Sequence, residues 1–204
     1  MIWPVPPHGM RSTRQILIKL PRWLALLAGC LAATGSLALE KPYTGPFVEN
    51  EDFLFVLMPR SPEQMAAFYE ARGFPQTAIA VIRATCFVTV HIENRGRQVL
   101  WMEPDTWKFS SKGRPLQRLD SSYWESQWDT VGLKQANRST FRWTQLPAER
   151  DLQQHEQVGG NIVFPGTTGS FDLEAVLPTG QDRRGKQFSV RFENIACPPG
   201  EAVK

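Results

Sequence analysis

Five aromatic residues fall within 28 positions: Trp101, Trp107, Tyr123, Trp124 and Trp128. They are interspersed with Arg118, Asp120, Gln127 and Asp129. Flat rings beside such polar groups can form a platform for a sugar or a partner protein, because Trp and Tyr join a large contact area to a polar tip. The same rings can also fill the core of a small domain. Carboxylates are the other reactive groups in this stretch. Glu103 and Asp105 flank Pro104, and Asp120, Glu125 and Asp129 follow. Glycoside hydrolysis needs two carboxyls at a set separation, so a hydrolase with dispersed carboxylates is the enzymatic alternative.

Other chemistry finds little support. Beyond residue 38 the histidines are His91 and His155, 64 positions apart, and neither has a Cys or His at ligand spacing. No metal site is expected, and Met58, Met65 and Met102 are too sparse for a copper-binding run. The sequence holds no Gly-x-Ser-x-Gly elbow, Ser-x-x-Lys, His-Glu-x-x-His or phosphate loop. Gly159-Gly160 precedes an expected strand, so it lacks the helix N-terminus that would cradle phosphate. No catalytic residue and no cofactor are assigned.

The location of the protein is more legible. Residues 1–38 carry four bases (Arg11, Arg14, Lys19 and Arg22) and no acid. A 16-residue, largely apolar run, Trp23 to Ala38, follows them and ends on Ser36-Leu37-Ala38. This is the layout of a secretory signal peptide, with cleavage before Leu39. The run is shorter than the roughly 20 residues that span a membrane. Leu27-Ala28-Gly29-Cys30 resembles a lipobox, so lipidation of Cys30 is the alternative, giving a membrane-anchored lipoprotein. Either route leaves Cys86 and Cys197. In an oxidising compartment an even pair reads as one disulfide.

Export also changes the charge. Four of the 23 Lys and Arg residues lie in the leader, leaving 19 bases against 20 acids, a net charge of −1. The overall +3 and the basic pI belong mostly to the leader. Nucleic-acid binding needs a footprint of many cations, and none is expected. Arg183-Arg184-Gly185-Lys186 reads as a solvated hairpin tip. The expected partners are an envelope protein or a glycan. Membrane contact is expected only during export or through a lipid on Cys30.

The elements that position these residues are mostly strands. Phe53 to Met58 is a short apolar run. Ser61-Pro62-Glu63-Gln64 carries an N-cap, a first-turn proline and a capping-box residue, which predicts a helix over about 61–73 ending at Gly73. From Ala80 to Ile92 apolar residues alternate with polar ones, which predicts a long strand. Gln98–Met102 reads as its hairpin partner. Residues 116–139 show no clear period, and Phe141 and Trp143 alternate with Thr140, Arg142 and Thr144. Phe171–Leu177 and Phe188–Phe192 predict a terminal hairpin.

Seven to nine short strands with frequent Gly and Pro turns predict a mainly β fold: an antiparallel β-sandwich with one short N-terminal helix. Over about residues 78–197 the strand spacing resembles the immunoglobulin-like domains of bacterial exported proteins. The expected layout is a signal peptide (1–38), an N-terminal extension with strand and helix (39–77), and a β-sandwich core (78–204) packed with the extension as a single domain. The function expected is that of an exported, periplasmic or secreted, non-catalytic protein with a binding, scaffolding or assembly-accessory role. A carbohydrate- or cell-wall-binding module using the aromatic platform is the narrower alternative.

Overall fold

The strand Phe53–Arg60 is apolar on both faces, and its surroundings explain why. The computed structural model describes residues 43–200. The predicted leader and Cys30 lie outside them. Among the described residues the chain is mixed α/β, with four helices and three antiparallel sheets.

The central sheet has the order β1 (Phe47–Glu49), β2 (Phe53–Arg60), β3 (Thr85–Asn94) and β8 (Gln157–Pro165). One face packs on a second sheet of order β10 (Gln187–Ala196), β9 (Ser170–Pro178), β5 (Lys108–Ser111) and β6 (Arg114–Pro115). Between them Phe55 and Leu57 of β2, Val88 and Val90 of β3 and Phe164 of β8 meet Phe109, Leu173, Val190 and Phe192. Rings set the contacts: Phe55 lies 5.2 Å from Phe192, and Phe164 lies 4.4 Å from Phe171. The third sheet pairs β4 (Leu100–Met102) with β7 (Arg150–Leu152).

At the end that holds Phe87 and Val163, the opposite face of the central sheet is covered by the helices. Phe87 and Val163 point there and join α1 (Pro62–Glu70), α2 (Gln76–Arg83), α3 (Ser121–Thr130) and α4 (Gln135–Trp143) in a second core. Period-2 alternation places Phe87 in one core and Val88 in the other. In β2, Phe53 to Leu57 are all buried whichever way they point, and such a strand reads as a continuous apolar run.

The capping box at Ser61 forms as the sequence predicts. Ser61 Oγ accepts from the Gln64 amide, and the Gln64 side chain accepts from the Ser61 amide. The α1 helix is shorter than expected and is followed by a turn through Gly73, whose φ of +77° suits a residue without a side chain.

The expectation of one helix is corrected to four. Residues 76–83 form α2, with Ala78, Ile79 and Ile82 on its buried face, so the alternating strand starts only at Thr85. Residues 121–130 form α3, where Trp124 and Trp128 are one turn apart on the buried side. The apparent alternation around Phe141 is helical. Phe141 is 2% exposed and Trp143 87% exposed, because positions two apart on a helix point in nearly opposite directions. The expected hairpin of Gln98–Met102 with the preceding strand is also replaced. β3 pairs with β2 and β8, and β4 pairs with β7.

Candidate functional site

The chain between β6 and α3 crosses from the outer sheet to the helical layer. The Leu116 amide donates to the Phe109 carbonyl at 2.9 Å, and the Leu119 amide to the Val163 carbonyl at 2.8 Å. Asp120 then caps α3. Its Oδ1 accepts from the Ser122 hydroxyl and from the Tyr123 amide, and these bonds hold its carboxyl below the ordinary range. This crossing separates two clefts, of about 620 and 580 Å³.

The larger cleft lies beside the disulfide. Cys86 and Cys197 are bonded, with their Cα atoms 5.6 Å apart. Such a bond belongs to an oxidising, extracytoplasmic compartment. One wall comes from the end of α2 and the start of β3, Arg83 to Cys86. Another comes from the β8–β9 connection, Pro165 to Gly169. The third is the segment Cys197 to Gly200. Leu119 and Tyr123 close the side formed by the crossing. Gly166 is required here, since a Cβ at that position would lie 2.2 Å from the Ala84 carbonyl oxygen. Among the described residues Arg83 is the one charged side chain on these walls, and its ion-pair partner Glu70 stands 3.9 Å away.

The smaller cleft is lined by Asp105, Trp107, Lys108, Arg118, Asp120 and Glu174, among others. Asp105 is ion-paired with Arg118 across it. Trp107 contributes little open surface, being 6% exposed.

The five aromatics do not share one face. Trp107 packs in the core between the sheets, and Trp124 and Trp128 stack at 5.1 Å in the core under the helices. Tyr123 is partly exposed on the wall of the larger cleft, edge-on to Trp124 at 5.3 Å. Trp101 is on β4. Its Nε1 donates to the Gly180 carbonyl, and the Arg183 guanidinium covers its ring at 4.1 Å. Arg183 also pairs with Glu103 and Glu149, and Lys186 with Asp52, so two cations of the expected solvated hairpin tip fold back onto the body. Among the described residues the exposed tryptophan is Trp143, whose strand-like neighbours in the sequence disguise its helical position.

The carboxylates are each engaged. Glu103 pairs with Arg183, Asp105 with Arg118, and Asp129 with Arg138 at 2.6 Å. Arg138 also reaches Glu125 at 3.2 Å, tying α3 to α4. A general acid needs a carboxyl pKa raised towards neutrality, the reverse of the shift at Asp120. His91 stacks on Tyr43 with ring centres 6.0 Å apart, and burial lowers its pKa. Among the described residues no three His, Cys, Asp or Glu side chains gather as a metal-binding group.

No family model matches the chain, and neither does any curated protein. Two solved structures resemble it distantly. One is the YjhA protein from Bacillus subtilis, at 12% identity and a TM-score of 0.37, covering 64% of this chain and 76% of that one. The other is YcdA from Bacillus subtilis, described as a candidate lipoprotein, at 10% identity and a TM-score of 0.39. That match covers 74% of this chain but spans only 39% of YcdA.

Proposed function

We propose that this is an exported, non-catalytic binding module of the bacterial envelope, and that the cleft beside the Cys86–Cys197 bond is its ligand seat. One observation carries the reading. The cleft is of ligand-binding size and is lined by a cation, hydroxyls and apolar surface, while the acids that could serve catalysis are held in ion pairs and a helix cap. The partner is another envelope component, protein or glycan.

The reading includes an immunoglobulin-like frame. The orders β2–β3–β8 and β10–β9–β5–β6 follow A–B–E and G–F–C–C′ of a variable-type sandwich. On that mapping α1 and α2 are inserted between strands A and B, and α3 and α4 between C′ and E. The disulfide then joins B to the end of G, unlike the B–F bond of antibody domains. Residues 39–204 form one mature periplasmic domain after removal of the leader at Ala38. Intact mass tests that step: a chain starting at Leu39 supports it, and a diacylated Cys30 replaces it with a lipid anchor.

The binding role is tested by capture from an envelope extract with wild-type protein and with Gly169→Phe. A Cβ at Gly169, a residue of the cleft wall, meets nothing within 4 Å, so the larger side chain is expected to be accommodated there and to narrow the cleft. A partner retained by the wild type and lost with Gly169→Phe supports the seat. Equal retention overturns it.

A further inference from the structure

Deepening the reading of this cleft as a ligand seat, we propose that it receives the free carboxyl end of a peptide. Arg83 sets the charge. It is the one charged side chain on the described walls, its side chain is 46% exposed, and Glu70 at 3.9 Å leaves most of its N–H donors for another acceptor. The Glu63 carboxylate stands behind two residues of the wall, following Pro62 and lying 3.3 Å from the Cβ position of Gly200. A guanidinium in that setting selects one carboxylate, which it can bind in bidentate fashion.

The other walls select what carries that carboxylate. Pro165, Pro198 and Pro199 present rigid apolar surface with no amide donors, and Leu119 adds to it. A glycan, which needs many hydrogen bonds, gains little from such walls. Thr167, Thr168 and the Tyr123 ring add hydroxyls between the apolar patches. An acyl chain would cover those hydroxyls and offer them no partner, which is costly. A peptide supplies both apolar side chains and backbone N–H and C=O groups. The cleft is also preformed. The disulfide fixes Cys197 against β3, and Gly166 lies too close to Ala84 for the opposite wall to move inward. Little ordering is then required on binding.

The test uses the purified, oxidised protein immobilised and challenged with three probes: N-acetylated tripeptides with free carboxyl ends, the same library amidated, and octanoate. The acid library is expected to be retained at least 10-fold better than the amides. Arg83→Gln is expected to lose that preference with its thermal melt unchanged, because the Arg83–Glu70 pair is exposed and loose. Equal retention of acids and amides, full retention by Arg83→Gln, stronger retention of octanoate, or no retention of any probe overturns the proposal. The two readings fail separately. If Gly169→Phe abolishes envelope capture while acids and amides bind alike, the seat stands and the carboxylate chemistry falls.

Discussion

Cys86, the second residue of β3, is bonded to Cys197, the first residue after β10, so the central and outer sheets are joined at the end of the molecule that holds the larger cleft. The bond closes a loop with a sequence separation of 111 residues. Replacing both cysteines with alanine is expected to lower stability by about 2–4 kcal/mol, the usual range for a bond closing a long loop. Urea unfolding of the oxidised and variant proteins measures this. A change within error would show that the bond adds little to folding.

Two tryptophans on neighbouring helices should behave in opposite ways. Trp128 is 1% exposed and stacks on Trp124, so Trp128→Ala should cost about 3–5 kcal/mol. Trp143→Ala should stay within about 0.5 kcal/mol of the wild type, since that ring lies in solvent. Chemical denaturation of the two variants decides the matter, and comparable losses would place Trp143 in a packed environment.

Tyr69 gives the protein an alkaline limit. Its hydroxyl hydrogen-bonds to Thr144 Oγ1 at 2.6 Å, and burial pushes its pKa up from 10.0 to about 12. The unfolded chain therefore loses this proton first as pH rises. Stability from this group is complete below about pH 10 and is lost between about 10 and 12, to a total of roughly 2–3 kcal/mol. Tyr69→Phe should flatten stability over that window. An unchanged slope would show that the phenol ionises as it does in water.

Gly160 and Gly169 predict contrasting responses to alanine. A Cβ at Gly160 would lie 2.5 Å from the Leu146 amide nitrogen and 2.6 Å from its Cα, where backbone must move. Gly160→Ala should cost about 1–3 kcal/mol. At Gly169 a Cβ meets nothing within 4 Å, and Gly169→Ala should be neutral or stabilise by up to about 1 kcal/mol. Paired thermal melts check both, and similar shifts would overturn the packing argument at Gly160.

The parts legible in the sequence were those with an unambiguous local signal. Ser61 and Gln64 announced α1 through a capping box, Phe171–Leu177 alternated as a strand on one solvated face, and the paired cysteines found each other. α2 and α4 are not legible in the sequence, for a shared reason. Neither has a side-chain cap at its start, where Pro75 and Lys134 stand. Ala80-Ile82-Ala84 and Phe141-Trp143 also mimic a period of two over so short a span. α3 did carry a signal, Asp120 as cap followed by Trp124 and Trp128 at i and i+4. The same rings also fit a surface constellation, and that pattern masks their helical spacing. The larger cleft was not foreseeable from local pattern, because Arg83, Tyr123 and Cys197 are brought together only by tertiary packing.

The two-sided burial of the central sheet bears on how its alignment is chosen. Across Cys86-Phe87-Val88 a slip of one residue would exchange apolar side chains between two cores, exposing none of them to water. The usual solvation penalty for misalignment is therefore weak at that end of the strand. Directional contacts must supply the difference. Thr89 Oγ1 donates to Asn161 Oδ1 at 2.8 Å while accepting from Arg60 Nε at 3.0 Å, which pegs β2, β3 and β8 at one level. The sulfur bridge one turn of the pleat away fixes the same strand from the other face. A polar row and a covalent link thus act as the ruler at the one end of the strand where the apolar pattern reads much the same one step to either side.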